Sequence, residues 1–272
     1  MRSSICLMFL TLSIFSALAW ATPLQLLEPQ AQLQSGGHAY FGTVGPGQTF
    51  TVQINPIVND EQGNFLGRWD FAYATSLPQG WQSRKSKIYD NPLVVEVTVP
   101  ADSPEGEYSV SFEVVDEKGQ ENIGGTNDFT ITVQIRHDVL EMSVDPLSAS
   151  VGAGQPARFN ILMHNSGSAK DVFSVKALGV KGWEFEKKVY MPPGTSKTFT
   201  YEVVGNEESN YAVKFYAVSD SSKLITSSAD VTLDVRTNLA SDYKATSNGI
   251  MLFPILELPL YSLAGVISFI FG

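Results

Sequence analysis

An all-β fold of two tandem sandwich domains is predicted by three observations. First, a pattern is written twice: Val44-Gly-Pro-Gly-Gln48, then Gly80-Trp81, Tyr108 and a closing strand at 129–136. It returns about a hundred residues later as Val151-Gly-Ala-Gly-Gln155, Gly182-Trp183, Tyr211 and a closing strand at 231–236, the interval of a duplicated module. Second, apolar residues alternate with polar ones: Phe50, Val52 and Ile54; Val95, Val97 and Val99; Val110, Phe112 and Val114; Val213, Phe215 and Ala217. Such period-2 runs, rich in Val, Phe, Tyr and Thr, are half-buried antiparallel strands. Third, no stretch between residues 22 and 240 keeps a helical period for three turns.

In chain order, residues 1–21 read as a signal peptide. Arg2 supplies the positive end, residues 5–18 are almost wholly apolar, and Ala19-Trp20-Ala21 offers small residues where a signal peptidase reads. The only cysteine, Cys6, lies inside this segment, so a mature chain has no disulfide, no thiolate nucleophile and no cysteine metal ligand. Each module then has to be stable on its hydrophobic core alone.

Residues 22–137 form the expected first sandwich. Trp69, Phe71 and Tyr73 alternate with Arg68, Asp70 and Ala72 and are expected to share a core face. Trp81 follows a glycine at a strand start and reads as a core plug, and so does Trp183 in the second copy. Tyr108 and Tyr211 stand where a sandwich makes its tyrosine corner. Gly45, Gly47, Gly152 and Gly154 are expected to turn the chain with positive φ before a strand. Turn signals at short intervals give about seven strands per hundred residues, the grammar of an immunoglobulin-like sandwich. The joint, Arg136-His137-Asp138-Val139-Leu140, has no Gly, Pro or Ser, so a stiff rod is expected. The second sandwich occupies 138–237.

A polar linker (238–249) leads to an apolar C-terminal segment, 250–272, long enough as a helix to cross a bilayer. Pro254 and Pro259 each remove a backbone donor, and Glu257 between them is costly at mid-membrane unless neutral or paired. Three readings stand: a kinked spanning anchor, a segment lying in the interface or paired with another membrane protein, and a tail packed on the sandwiches. With an export signal in front, both modules are expected on the extracytoplasmic face of the cell membrane, anchored by the C-terminus.

Module two carries a family resemblance in Val151-Gly-Ala-Gly-Gln155, the strand ending in Asn165-Ser166-Gly167, Gly182-Trp183 and Pro193-Gly194-Thr195-Ser196. This resembles the NEW3- and CARDB-type immunoglobulin-like domains of bacterial and archaeal surface proteins. Module one is similar in its second half but replaces the Asn-x-Gly with the longer 55–63 stretch. The resemblance implies appended, non-catalytic modules and no particular ligand.

The chemistry-bearing residues are sparse. His38, His137 and His164 are the only histidines, and none lies in a hydrolase motif. The glycine turns lack the following helix of a phosphate cradle. No enzyme activity and no cofactor are expected. Calcium is the one cofactor weighed, with Asp138 at the joint and Asp60 and Glu61 in a turn as its oxygen ligands, although no D-x-D-x-D-G loop is present. The net charge of −10 repels phosphate backbones and disfavours nucleic acid.

The leading expectation is therefore an exported, membrane-anchored envelope protein. It would use two immunoglobulin-like modules for adhesion, envelope structure or protein–protein contact. Its partners would be membrane lipid through the C-terminal segment and other envelope proteins. The alternative is an accessory subunit of a membrane assembly, export or transport complex docked through that segment. A carbohydrate-binding module ranks third, because the aromatics alternate toward the core.

Overall fold

The computed structural model describes residues 23–237 apart from 61, 118, 120–122, 124 and 185. The expected signal peptide (1–21), Glu61, the expected 238–249 linker and the apolar segment 250–272 with Pro254, Glu257 and Pro259 lie outside the described residues. Every regular element described is a strand. No helix among these residues is long and apolar enough to cross a membrane.

The first unit comprises β1 (Leu24–Glu28), β2 (Gln30–Leu33), β3 (Gly37–Val44), β4 (Thr49–Ile54), β5 (Ile57–Asn59), β6 (Phe65–Arg68), β7 (Phe71–Ser76), β8 (Gln82–Arg84), β9 (Leu93–Thr98), β10 (Gly106–Val115) and β11 (Thr126–Ile135). One sheet runs β2-β1-β4-β9-β8 and the facing sheet β3-β11-β10-β7, while β5 and β6 make a separate two-stranded ribbon. The second unit comprises β12 (Leu140–Asp145), β13 (Ser148–Val151), β14 (Pro156–Asn165), β15 (Asp171–Leu178), β16 (Lys187–Met191), β17 (Ser196–Val204), β18 (Ser209–Ser219) and β19 (Thr226–Val235). Its sheets run β12-β14-β17 and β13-β19-β18-β15-β16. All pairings are antiparallel except β3 with β11 and β13 with β19, which occupy equivalent places in the two units. Two sheets with this order are the layered arrangement of an immunoglobulin-like sandwich.

Alternation along each strand builds the cores. Phe50, Val52 and Ile54, side by side with Val95 and Val97 of the same sheet, cluster with Phe112 of the facing sheet in the first, and Phe159, Ile161 and Met163 meet Phe173, Val175 and Phe215 in the second. Ring pairs at 5.2 Å (Phe112–Phe129) and 5.4 Å (Phe159–Phe215) add to the area buried. The two clusters are separate, so each unit has its own core.

One expected face is corrected. Trp69 is buried, but Phe71 and Tyr73 are only partly so, and Ala72 takes the core position between them. The strand does not run through from Arg68: Trp69 and Asp70 form a non-strand junction between β6 and β7, which shifts the parity by one. Phe71 and Tyr73 instead stack on the outer surface at 6.1 Å, and the Tyr73 hydroxyl donates to Glu113 Oε2 at 3.0 Å. That bond is the main reason the phenol is held above its ordinary pKa.

The glycine turns are corrected in part: positive φ occurs at Gly47 (72°) and Gly154 (75°), not at Gly45 or Gly152. Tyr108 Oη donates to Pro104 O at 3.1 Å and Tyr211 Oη to Glu207 O at 3.0 Å, each four residues upstream as a tyrosine corner requires. Tyr108→Phe and Tyr211→Phe are each expected to cost about 1 kcal/mol in urea unfolding, the ordinary net worth of one such bond. No measurable loss would mean the hydroxyls are equally well served by water.

The duplicated Gly-Trp is followed by different connections. After Trp81 the chain becomes β8 and pairs with β9. After Trp183 it becomes β16 and pairs with β15 in the facing sheet, so among the described residues no strand lies on the far side of β17.

Candidate functional site

The most constructed place in the described structure is the joint. Gln48, at the end of the Val-Gly-Pro-Gly-Gln turn, is 1% exposed, and its Oε1 accepts from Gly45 N at 2.8 Å. This fixes the amide so that Nε2 donates across the joint to Asp171 Oδ2 at 2.7 Å. Asp171 is 5% exposed at the start of β15. Its Oδ2 also accepts from Ser219 Oγ (2.7 Å), and its Oδ1 accepts from Ser221 Oγ (2.9 Å) and Val172 N (2.7 Å). A buried carboxylate is tolerated when its oxygens are saturated with donors, and here the donors come from both units.

Backbone contacts close the rest of the joint. Ser168 N donates to Thr43 O at 2.6 Å and Ser222 Oγ to Ala101 O at 2.6 Å. Ala169, from the second unit, is packed into the hydrophobic core of the first. Gly47 is demanded twice: its φ is positive, and a Cβ there would stand 2.1 Å from Ser221 O. The linker residues add an ion pair, with Arg136 Nε 2.7 Å from Asp138 Oδ1. That hydrogen bond holds the Asp138 carboxyl below its ordinary range.

Around this joint runs a groove of three depressions, of about 220, 330 and 780 Å³. The first is walled by Glu28, Thr49, Thr51 and Gln53 on one side and Lys170 and Tyr190 on the other. Thr51 and Gln53 project there because Phe50, Val52 and Ile54 are turned inward, and Tyr190 projects because Val189 and Met191 are. Glu28 Oε2 accepts from Gln53 Nε2 at 2.6 Å and Thr51 Oγ1 at 3.2 Å. In the third depression Ser174 Oγ lies 2.7 Å from Asp220 Oδ1 and 2.9 Å from Glu186 Oε1. Asp220 is held below the ordinary carboxylate range, first by Lys188 at 2.8 Å and then by Ser174, and Lys188 is raised in return.

Of the sequence-derived metal candidates, Asp138 lies at the joint and is engaged by Arg136. Asp60 sits in the β5–β6 turn beyond the opposite end of β4, where Oδ1 accepts from the Gln62 and Asn64 backbones and Oδ2 from the Asn64 side chain. The fold therefore does not bring the two acids together. Among the described residues no group of three or more His, Cys, Asp or Glu is placed to hold a metal ion. His38 Nε2 lies 2.8 Å from Thr132 Oγ1, His137 Nε2 3.1 Å from Ser103 O and His164 Nδ1 2.9 Å from Ser196 Oγ, so the three histidines have separate surroundings.

Trp69 is 1% exposed and Trp81 6%. Trp183 packs at the margin of its core and lines a depression of about 410 Å³ with Lys187, Thr200, Tyr201 and Glu202. Sequence reasoning missed Gln48, Asp171 and Tyr190. The only signal for Gln48 was its place in the repeated turn.

No protein-family model matches the chain, and no curated protein does. Among solved structures it is similar to a chimeric titin Z1Z2 (14% identity, TM-score 0.34), covering 80% of this chain and 99% of that one. It is similar to the D00–D0 domain of intimin at 12% identity and TM-score 0.26, covering 77% of this chain and 98% of that one. A β-glucosidase from Listeria innocua matches over 36% of this chain at 16% identity and TM-score 0.27, and there the chain spans only 16% of the enzyme's length.

Proposed function

We propose that this is a non-enzymatic, exported rod of two immunoglobulin-like modules, held at the outer face of the cell membrane by residues 250–272 and serving adhesion, envelope structure or protein–protein contact. The observation that carries it is the joint: a buried carboxylate shared by both units and backbone-to-backbone contact fix one module on the other. A rod with a fixed joint presents its faces in a constant geometry, which suits a spacer or a contact surface. The chain leaves the second unit at Val235, at the end of β19 away from the joint, so the 238–249 linker would place the apolar segment beneath the rod. The motif resemblance to NEW3- and CARDB-type domains of surface proteins points the same way.

Carbonate and detergent fractionation tests it, using the full-length protein beside a version ending at Ser247. The full-length form is expected to resist carbonate and need detergent, and the shortened form to wash off. Release of both by carbonate would overturn the anchor. Glu257 between two prolines favours one further reading, an accessory subunit whose segment meets a partner helix. Glu257→Leu is then expected to lose co-purifying membrane partners, and their retention removes that reading.

A further inference from the structure

We infer that the groove around the joint binds an extended oligosaccharide, with Tyr190 as the stacking platform and Glu28, Thr51 and Gln53 as the hydroxyl-reading row. This deepens the contact role proposed above and rests on that reading for its setting, although binding itself depends on the groove alone.

Continuity is the first ground. The first and second depressions share Thr49, Lys170 and Tyr190, and the second and third share Asp220 and Ser221. Adjoining depressions thus follow one another from the first unit onto the second, a succession that suits a chain better than a compact ligand. Its chemistry is the second ground. Tyr190 is 50% exposed on the outer face of β16, and a half-open ring offers its face to the C–H face of a sugar while its hydroxyl stays in water. The Lys197 ammonium stands over that ring, 5.8 Å from its centroid, and a sugar stacking on the same face would displace this flexible side chain.

Opposite, the carboxylate, amide and hydroxyl of Glu28, Gln53 and Thr51 already bond one another in a fixed row. Such a row presents both donors and acceptors, which is what neighbouring sugar hydroxyls need. A second tyrosine, Tyr216, lines the far depression beside Ser174 and Glu186. Pre-organisation is the third ground: Asp171 and the close contact at Gly47 hold the two walls in place before any ligand arrives, so little ordering is required on binding.

Other occupants fit less well. An apolar ligand would strip water from the remaining hydrogen-bonding positions of the acids and hydroxyls and offer nothing in its place. A nucleic acid would meet a chain of net charge −10.

The test uses full-length protein purified in detergent, so that it stands apart from the anchoring experiment. Cellohexaose, chitohexaose, mannohexaose and hexagalacturonate are titrated calorimetrically at up to millimolar concentration. At least one is expected to bind, with affinity falling about tenfold in Tyr190→Ala. Thr51→Tyr, which puts a bulky ring into the groove in place of the Thr51 hydroxyl, is expected to block binding as well. Phe65→Ala, on the exposed β5–β6 ribbon away from the joint, is expected to leave binding unchanged. Binding of none of the four, or binding indifferent to both groove variants, overturns the proposal. In either case the fractionation result keeps its own meaning.

Discussion

Asp171→Ala is expected to cost about 3 kcal/mol and to free the two modules to move against each other. The carboxylate accepts from Gln48 of the first unit and from Ser219 and Ser221 of the second, all within hydrogen-bond distance. Truncation removes every acceptor at once. Gln48 is then left with a buried amide donor, and an unsatisfied buried donor costs about 1–3 kcal/mol. Ser219 Oγ still accepts from the Ser221 and Ser222 N–H groups, but its own buried O–H loses its acceptor as well, whereas Ser221 is only partly buried and can turn its hydroxyl to water.

The variant should show two calorimetric transitions where the parent is expected to show one coupled transition, and small-angle scattering should report a broader range of maximum dimension. Asp171→Asn is expected to fall between the two, since an amide keeps one acceptor but turns a second donor toward Gln48 or the serines. Gly47→Val should loosen the joint by a different route, forcing a side chain against Ser221 O. A scattering profile unchanged in both Asp171→Ala and Gly47→Val would show that the linker alone holds the rod.

The strands were legible in the sequence because one face of each is buried, and a period of two leaves that face written in Val, Ile and Phe. What failed was parity across a break. Trp69, Phe71 and Tyr73 read as one face only if the chain stays in strand through Asp70. In fact Asp70 is buried in a junction, donating its N–H to Val115 O and accepting from Glu117 N through its carboxylate. Those partners lie far along the chain, where local periodicity carries no trace of them.

The joint was opaque for the same reason. Gln48 and Asp171 are 123 positions apart, and each reads locally as an ordinary polar turn residue. Stiffness was expected from the short linker, yet the contacts that fix the joint are mostly long-range. Tyr190 and Thr51 lie on separate strands of different units, β16 and β4, and only the docking of the two units makes them opposite walls of one groove.

Trp81→Ala and Trp183→Ala are expected to differ sharply although the two residues share one motif. Trp81 is nearly buried between Phe50, at 6.2 Å between ring centroids, and Tyr108, at 5.4 Å. Removing it leaves a large cavity in a packed core, and Trp→Ala there costs about 3–5 kcal/mol. β8 continues directly from Trp81 to pair with β9, so the surrounding strands have little freedom to collapse into the space. Trp183 sits at the rim of its core beside an open depression, and the strand that follows has gone to the facing sheet. Its loss removes partial burial and creates no closed void, for an expected cost of about 1–2 kcal/mol. Denaturant unfolding of the two variants, with the first module's transition moving in one and the second's in the other, measures the pair. Equal costs would mean that the second tryptophan is as enclosed as the first. The expected inequality instead marks where the duplicated modules parted: one kept the indole as a core plug, and the other released its flank when the strand changed sheets.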